Sequence, residues 1–267
     1  MYLFFLPALI VFAVIFMIPL GLVFYTSLFD PGFTFVKYAQ LLDEPLYGRV
    51  LLTTLEITAT ATALTLLIGY PVAYHLAGQP PRRRTLLLVL VLLPFWTSIL
   101  VKSFAFAVLL GRGGLINNAL AALFGEGARL ELLYNRVGVM VGMTHYLLPF
   151  MVLIVLGSLL AQDGSLRRAA MMMGAGRLRI FWSITLPLSL PGVMAGTLIC
   201  AILSFGMFIT PALLGGRQDY MISNLIDLNV RETLDWPLAS ALSVALMVIT
   251  ALFVVGLARV RKGELFD

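Results

Sequence analysis

Few side chains in this sequence are placed to do chemistry. Glu56 and Lys102 are the two charges inside long apolar runs, and His145 stands in the middle of another. An ionisable group within a bilayer is costly and is therefore paired or functional. At about 1.5 Å of rise per residue, both charges fall on the order of 10–15 Å inside the same boundary. Glu56 is placed by counting from Arg49, and Lys102 by counting back from Arg112. They can form a structural ion pair, or Lys102 can snorkel, or Glu56 can be a carboxylate for a passing cation. Trp96, Tyr146, Phe205 and Phe208 either line a cavity, where cation–π contact is worth about 0.5–2 kcal/mol each, or simply pack. His145 has no partner carboxylate in the sequence, which favours a hydrogen-bonded core histidine over a proton shuttle.

No nucleotide-binding Gly-x-x-x-x-Gly-Lys-Ser/Thr loop is present, and neither His-Glu-x-x-His nor Gly-x-Ser-x-Gly occurs. Carboxylates do not cluster as a metal site would need, and one cysteine, Cys200, excludes a disulfide framework. No catalytic residue, metal ligand or bound cofactor is expected in this chain. An intramembrane hydrolase would require a nucleophile–base pair at one depth, and the apolar runs supply none.

The elements that position these residues are apolar helices. Of 267 residues, 61% are hydrophobic and 12% charged, against roughly 25% charged in a soluble domain. Mean hydropathy is +1.01. An all-α integral membrane protein follows, with lipid as its solvent. Six segments approach the roughly 20 apolar residues that a crossing needs. They are residues 3–26, 51–77, 86–110, 137–161, 191–214 and 237–258, broken by Pro19, Pro71, Pro94, Pro149 and Pro211. The first lacks a basic leader and a small-residue cleavage site before Asp30, so it is expected to be retained. One membrane domain, 1–267, accounts for the whole chain.

Basic residues fix the expected orientation. One set of loops holds Arg82, Arg83, Arg84, Arg167, Arg168, Arg177, Arg179, Arg259, Arg261 and Lys262; the other holds Lys37, Arg49, Arg112, Arg129, Arg136, Arg217 and Arg231. Asp163, Glu264 and Asp267 lie with the first set and nine other acids with the second. Both termini and the 163–190 loop are then cytoplasmic. The net charge of +5 reflects orientation and not a nucleic-acid partner. Within 111–136, Leu115, Ile116, Leu120 and Leu123 suggest a short surface helix. Met221, Ile222, Leu225 and Ile226 mark another partly apolar excursion; an ordinary loop remains the alternative for each.

The 163–190 loop carries the most specific spacing: Arg168-Ala169-Ala170, Gly174, then Ile184-Thr185-Leu186-Pro187. Asp163 is placed to cap a helix through about Ala175, with Leu166, Ala169, Ala170 and Met173 on one face. Gly174-Ala175-Gly176 permits a sharp turn, and a second helix over 177–185 is expected to end at Pro187 and Pro191. Small alanines allow a partner to approach closely.

This loop resembles the one by which binding-protein-dependent ABC importers dock their membrane subunit onto an ATPase, with Arg168 where the family usually has glutamate. The resemblance assigns ATPase coupling to Arg168, Ala169, Ala170, Gly174, Gly176, Ile184, Leu186 and Pro187. Further strings resemble the polyamine (spermidine/putrescine) permease family, first-permease type. Among them are Gly69-Tyr70-Pro71-Val72-Ala73-Tyr74, Leu93-Pro94-Phe95-Trp96-Thr97-Ser98, Leu147-Leu148-Pro149-Phe150 and Pro211-Ala212-Leu213-Leu214-Gly215-Gly216. Met221-Ile222-Ser223-Asn224-Leu225-Ile226 and Asp235-Trp236-Pro237 continue the match. What the resemblance implies is a type I importer permease fold with six transmembrane helices and cytoplasmic coupling helices, in a bacterial inner membrane. It implies a second permease in a heterodimer, two ATPases that hold ATP and Mg, and a periplasmic binding protein. Glu56, Trp96, Lys102, Tyr146, Phe205 and Phe208 become candidates for the pathway of a cationic amine. Permeases for ferric iron, aminophosphonate, thiamine or sulfate share this framework. A channel would need no ATPase dock, and a secondary transporter would need internal repeats, which are absent.

Overall fold

A computed structural model describes residues 10–29 and 31–263, with side chains as far as Gly256. The start of the first expected span, Asp30, Glu264 and Asp267 lie outside these residues. Among the described residues the fold is all helix, apart from one isolated bridge between Phe29 and Phe33. Six helical stretches are long and apolar enough to cross a membrane.

In chain order the helices are α1 (Ile10–Leu28), α2 (Val36–Asp43), α3 (Pro45–Ala77), α4 (Pro81–Leu92), α5 (Ile99–Leu110) and α6 (Leu115–Phe124). They continue with α7 (Arg136–Leu160), α8 (Gly164–Met172), α9 (Arg177–Phe205), α10 (Ile209–Leu214), α11 (Ile222–Arg231) and α12 (Trp236–Gly263). The short helix suggested within 111–136 forms as α6, and the partly apolar Met221–Ile226 excursion is helical too, as α11.

Proline acts differently at different sites. Pro71 and Pro149 lie inside unbroken helices. Pro19 and Pro187 are each preceded by a π-helical turn, Ala13–Met17 and Phe181–Thr185. The ring would clash with the carbonyl four residues earlier, which belongs to Ile15 or Ser183, and the widened turn makes room. This corrects the expected stop at Pro187 and Pro191, because α9 runs through both as one 29-residue helix. Pro94 does break its helix: Leu93–Trp96 is a 3-10 turn, and Thr97 and Ser98 are extended before α5 begins. The expected span 86–110 is therefore α4, a break and α5. Twelve residues of α5 cover only about 18 Å, too little to cross alone; the stretch that is long enough is α5 continued by α6, Ile99–Phe124. The expected span 191–214 also divides, since α9 stops at Gly206 and α10 is separate.

Helix α7 is the centre, packed along α3 on one side and α9 on the other. Ile57, Val139, Met143, Leu147, Met151, Val152, Val155 and Cys200 are buried together there. Lipid tails give no hydrophobic drive to bring helices together, so small residues and close van der Waals contact do so. Gly192 shows the closeness: a Cβ there would lie 2.3 Å from Ser158 Cβ. Helix α12 packs on α1 and α11, and Lys37 Nζ of α2 donates to Asp235 Oδ2 at 2.7 Å.

Candidate functional site

At one end of α7 the segment from Asp163 to Ala175 stands on local interactions, while the start of α9 is tied by Phe181 to Tyr70 and Tyr74 and by Thr185 O to Gln162. Asp163 accepts from Ser165 N at 2.8 Å and Ser165 Oγ at 2.6 Å, capping α8 as expected. Hydrogen bonds from the Ser165 hydroxyl and amide hold its carboxyl below the usual carboxylate range. Helix α8 ends at Met172, three residues earlier than expected. Gly174 adopts φ +80°, its N–H donating to Met171 O and that of Ala175 to Ala170 O, each at 3.0 Å. These two bonds and the left-handed glycine are a Schellman C-cap. Gly176 then leads into α9 from an extended conformation.

The two alanines separate. Ala169 is exposed, whereas Ala170 is 5% exposed and faces a groove of about 290 Å³ that Gly174, Ile180 and Ile184 also line. Ala170 therefore lets α8 fold against α9 and reaches the surface only through this groove. Outward-facing side chains are instead Leu166, Met171, Met172, Met173 and Leu178, with Met172 90% exposed. Arg168 and Pro187 are exposed, and Ile184 and Leu186 half-buried.

The other end of α7 is held by charge. Asn135 caps it through Val137 N and Gly138 N. Arg136, the first residue, donates from Nε to Asp219 Oδ1 at 2.7 Å and from Nη1 to Glu56 Oε2 at 3.2 Å. Asp219 is 1% exposed, and its second oxygen accepts from Gly216 N at 3.0 Å. Glu56 thus pairs with Arg136 and not with Lys102. The depth count goes astray because α3 begins at Pro45, six residues before the expected 51. Its 33 residues extend about 50 Å and overreach a core of about 30 Å, so Glu56 sits level with the beginning of α7. Close by, Asn224 Nδ2 donates to Phe208 O at 2.8 Å, Ser223 Oγ to Met207 O at 2.6 Å and Ile222 N to Thr54 Oγ1 at 3.0 Å. Polar groups of α11 thereby satisfy backbone freed by the α9–α10 break. The string Met221–Ile226 is in the sequence, but not its partner.

The remaining pathway candidates divide. Trp96 is exposed at the α4–α5 break. Lys102 Nζ donates to Pro94 O at 2.9 Å and lies 5.3 Å from the centre of the Tyr146 ring. Phe205 is 2% exposed and stacks edge-on against Phe253, so it packs. Phe208 is half-buried beside the α9–α10 break. His145 packs edge-on against Phe106, and among the described residues its buried Nδ1 has no hydrogen-bond partner; the expected hydrogen-bonded core histidine is packed instead. Among the described residues no group of three potential metal ligands forms.

Comparison with known proteins places this geometry among transport proteins. Residues 65–261 match the family described as binding-protein-dependent transport system inner membrane component. The spermidine/putrescine transport system permease protein PotB of Haemophilus influenzae is 36% identical over 248 residues, which are 93% of this chain and 85% of that protein. PotB of Escherichia coli K12 is also 36% identical, over 82% of this chain and 80% of its own length. The molybdenum transport system permease protein ModB of Mycobacterium tuberculosis is 30% identical over 82% of each. A crystal structure of a bacterial alginate ABC transporter, in complex with an alginate pentasaccharide-bound periplasmic protein, superimposes with a TM-score of 0.76. It covers 96% of this chain and 91% of its own, at 21% identity, a likeness of fold.

Proposed function

Because the chain belongs to the family of inner membrane components of binding-protein-dependent transport systems, it is a transport permease, and we propose that it imports a cationic amine of the spermidine/putrescine class. In this reading it is one of two permease subunits around a central pathway, and it takes cargo from a periplasmic binding protein. It hydrolyses no ATP itself. Two cytoplasmic ATPases hold ATP and Mg, and their closure is carried into the helices through the 163–190 loop. Both chain termini and Arg82–Arg84 lie on that cytoplasmic side.

The observation that carries the coupling role is the apolar surface of Leu166, Met171, Met172, Met173 and Leu178. It lies on a loop that its own cap and turn hold rigid, beyond the end of a membrane-crossing helix. Apolar side chains so exposed mark an interaction site. Nucleotide-driven movement of the bound ATPases would then bias the helices between two arrangements. The amine cargo is supported by the 36% identical relatives named for spermidine and putrescine.

Proteoliposomes holding the assembled transporter and its binding protein test the cargo. ATP-dependent uptake of labelled spermidine is expected, and uptake of molybdate or sulfate without spermidine would overturn it. Cross-linking from a cysteine at Met172 should capture the ATPase. Labelling of a cysteine at Arg83 from the periplasmic face alone would invert the topology.

A further inference from the structure

The structure builds a site around Lys102. Its ammonium donates to Pro94 O at 2.9 Å and faces the Tyr146 ring at 5.3 Å, and among the described residues no carboxylate pairs with it. We propose that the Pro94 carbonyl and the Tyr146 face form a binding site for a primary alkylammonium group, which Lys102 occupies as a tethered stand-in and yields to a ligand ammonium by exchange.

Three features carry this. The chemistry is that of a terminal R–CH2–NH3+ group, offering one hydrogen bond to a carbonyl and one cation–π contact. Neither partner distinguishes the end of a lysine from any other primary amine. Second, the cradle stands without the lysine. Pro94 O also accepts from Thr97 Oγ1 at 2.9 Å and Thr97 N at 3.3 Å, so departure of Lys102 leaves no orphaned carbonyl. Phe95 meets Phe150 edge-on at 5.4 Å, and Phe150 meets Tyr146 at 5.8 Å. A run of rings thus fixes the Pro94 segment against α7. Third, the site is reachable: Lys102 and Tyr146 are only half-buried, beside the extended Thr97–Ser98 step. Tyr146 is ten residues, about 15 Å, along the α7 axis from Arg136, whose Nη1 holds the Glu56 carboxylate. A polyamine could therefore address a carboxylate and the cradle in turn. That role in transport rests on the amine-cargo reading, whereas the cradle itself does not.

The test is a binding measurement. With Trp182→Phe and Trp236→Phe, Trp96 is this chain's one remaining tryptophan of three, and the difference in emission from a transporter that also carries Trp96→Phe reports on the break. The full chain in its assembled transporter is titrated with n-butylammonium, and with 1-butanol as the uncharged control. Lys102→Ala should bind n-butylammonium saturably and at least tenfold more tightly than the parent, with no response to butanol. Adding Tyr146→Leu should remove the gain. Equal affinity in parent and variant, or an equal response to butanol, overturns the proposal. Lys102→Ser is the second variant; failure of both to assemble would make the lysine a structural brace and overturn it as well. Spermidine uptake by the parent tests the cargo separately, so either reading can fail while the other stands.

Discussion

The two ends of α7 are stabilised in opposite ways. Beyond Leu160, the 163–175 segment satisfies itself within a few residues: Asp163 with Ser165, Gly174 with Met171, Ala175 with Ala170. At Arg136, the partners come from 80 and 83 residues away. A locally closed loop can move as a rigid piece and keep its apolar face for another protein. An end tied by long-range charge holds three chain segments together and cannot move without breaking a bond. The contrast separates a part suited to transmit motion from a part suited to anchor it.

The sharpest break of this contrast is Arg136→Met. It would leave the buried Asp219 carboxylate without its charge partner; because Arg136 itself is 37% exposed, the cost is about 3 kcal/mol, the low end for breaking a buried pair. Thermal unfolding of the purified permease should show that loss, and an unchanged midpoint would mean Asp219 does not depend on the arginine.

Gly174→Leu attacks the other end. A branched side chain forced to φ +80° costs about 1–3 kcal/mol, and the turn would reopen. Uptake should fall at least tenfold while the protein still inserts, and Gly174→Asn, whose side chain tolerates that conformation, should retain most of it. Equal loss in both would show that bulk at the partner surface matters, and not the turn.

Glu56→Gln sharpens the charged end. Its bond to Arg136 is exposed, so stability should change by less than about 1 kcal/mol, in contrast to Arg136→Met. Selective loss of amine uptake would make Glu56 part of the pathway.

The smallest effect belongs to Asp235. Partial burial works to raise its carboxyl, but the Lys37 ammonium and the Leu238 N–H outweigh it and hold the group below its usual range. A depressed folded-state pKa gives stability that is present above the unfolded value near 3.9 and lost as pH falls through the folded one. Asp235→Asn should therefore be less stable at pH 7 by up to about 1 kcal/mol, with the gap closing in acid. A gap that persists at pH 2 would contradict the ion pair.

The sequence by itself determined what depends on near neighbours. Apolar runs of sufficient length gave the helical membrane fold, Asp163 gave the start of α8, and Gly174-Ala175-Gly176 gave the turn that follows. The spacing from Arg168 to Pro187 carried the family resemblance. Each of these is a property of one continuous stretch of chain. Only the tertiary structure decided what depends on distant partners or on how a helix accommodates strain. Glu56 found Arg136 because α3 begins early and overreaches the bilayer, which apolar counting cannot detect. Pro187 continues its helix and Pro94 breaks one, although both are proline in apolar surroundings. The first is preceded by a π-helical turn, and the second gives way to an extended step beside the Lys102 ammonium and the rings of α7. Ala170 turned inward while Ala169 stayed outside, because α8 folds back on α9 and only one of two adjacent positions can face it.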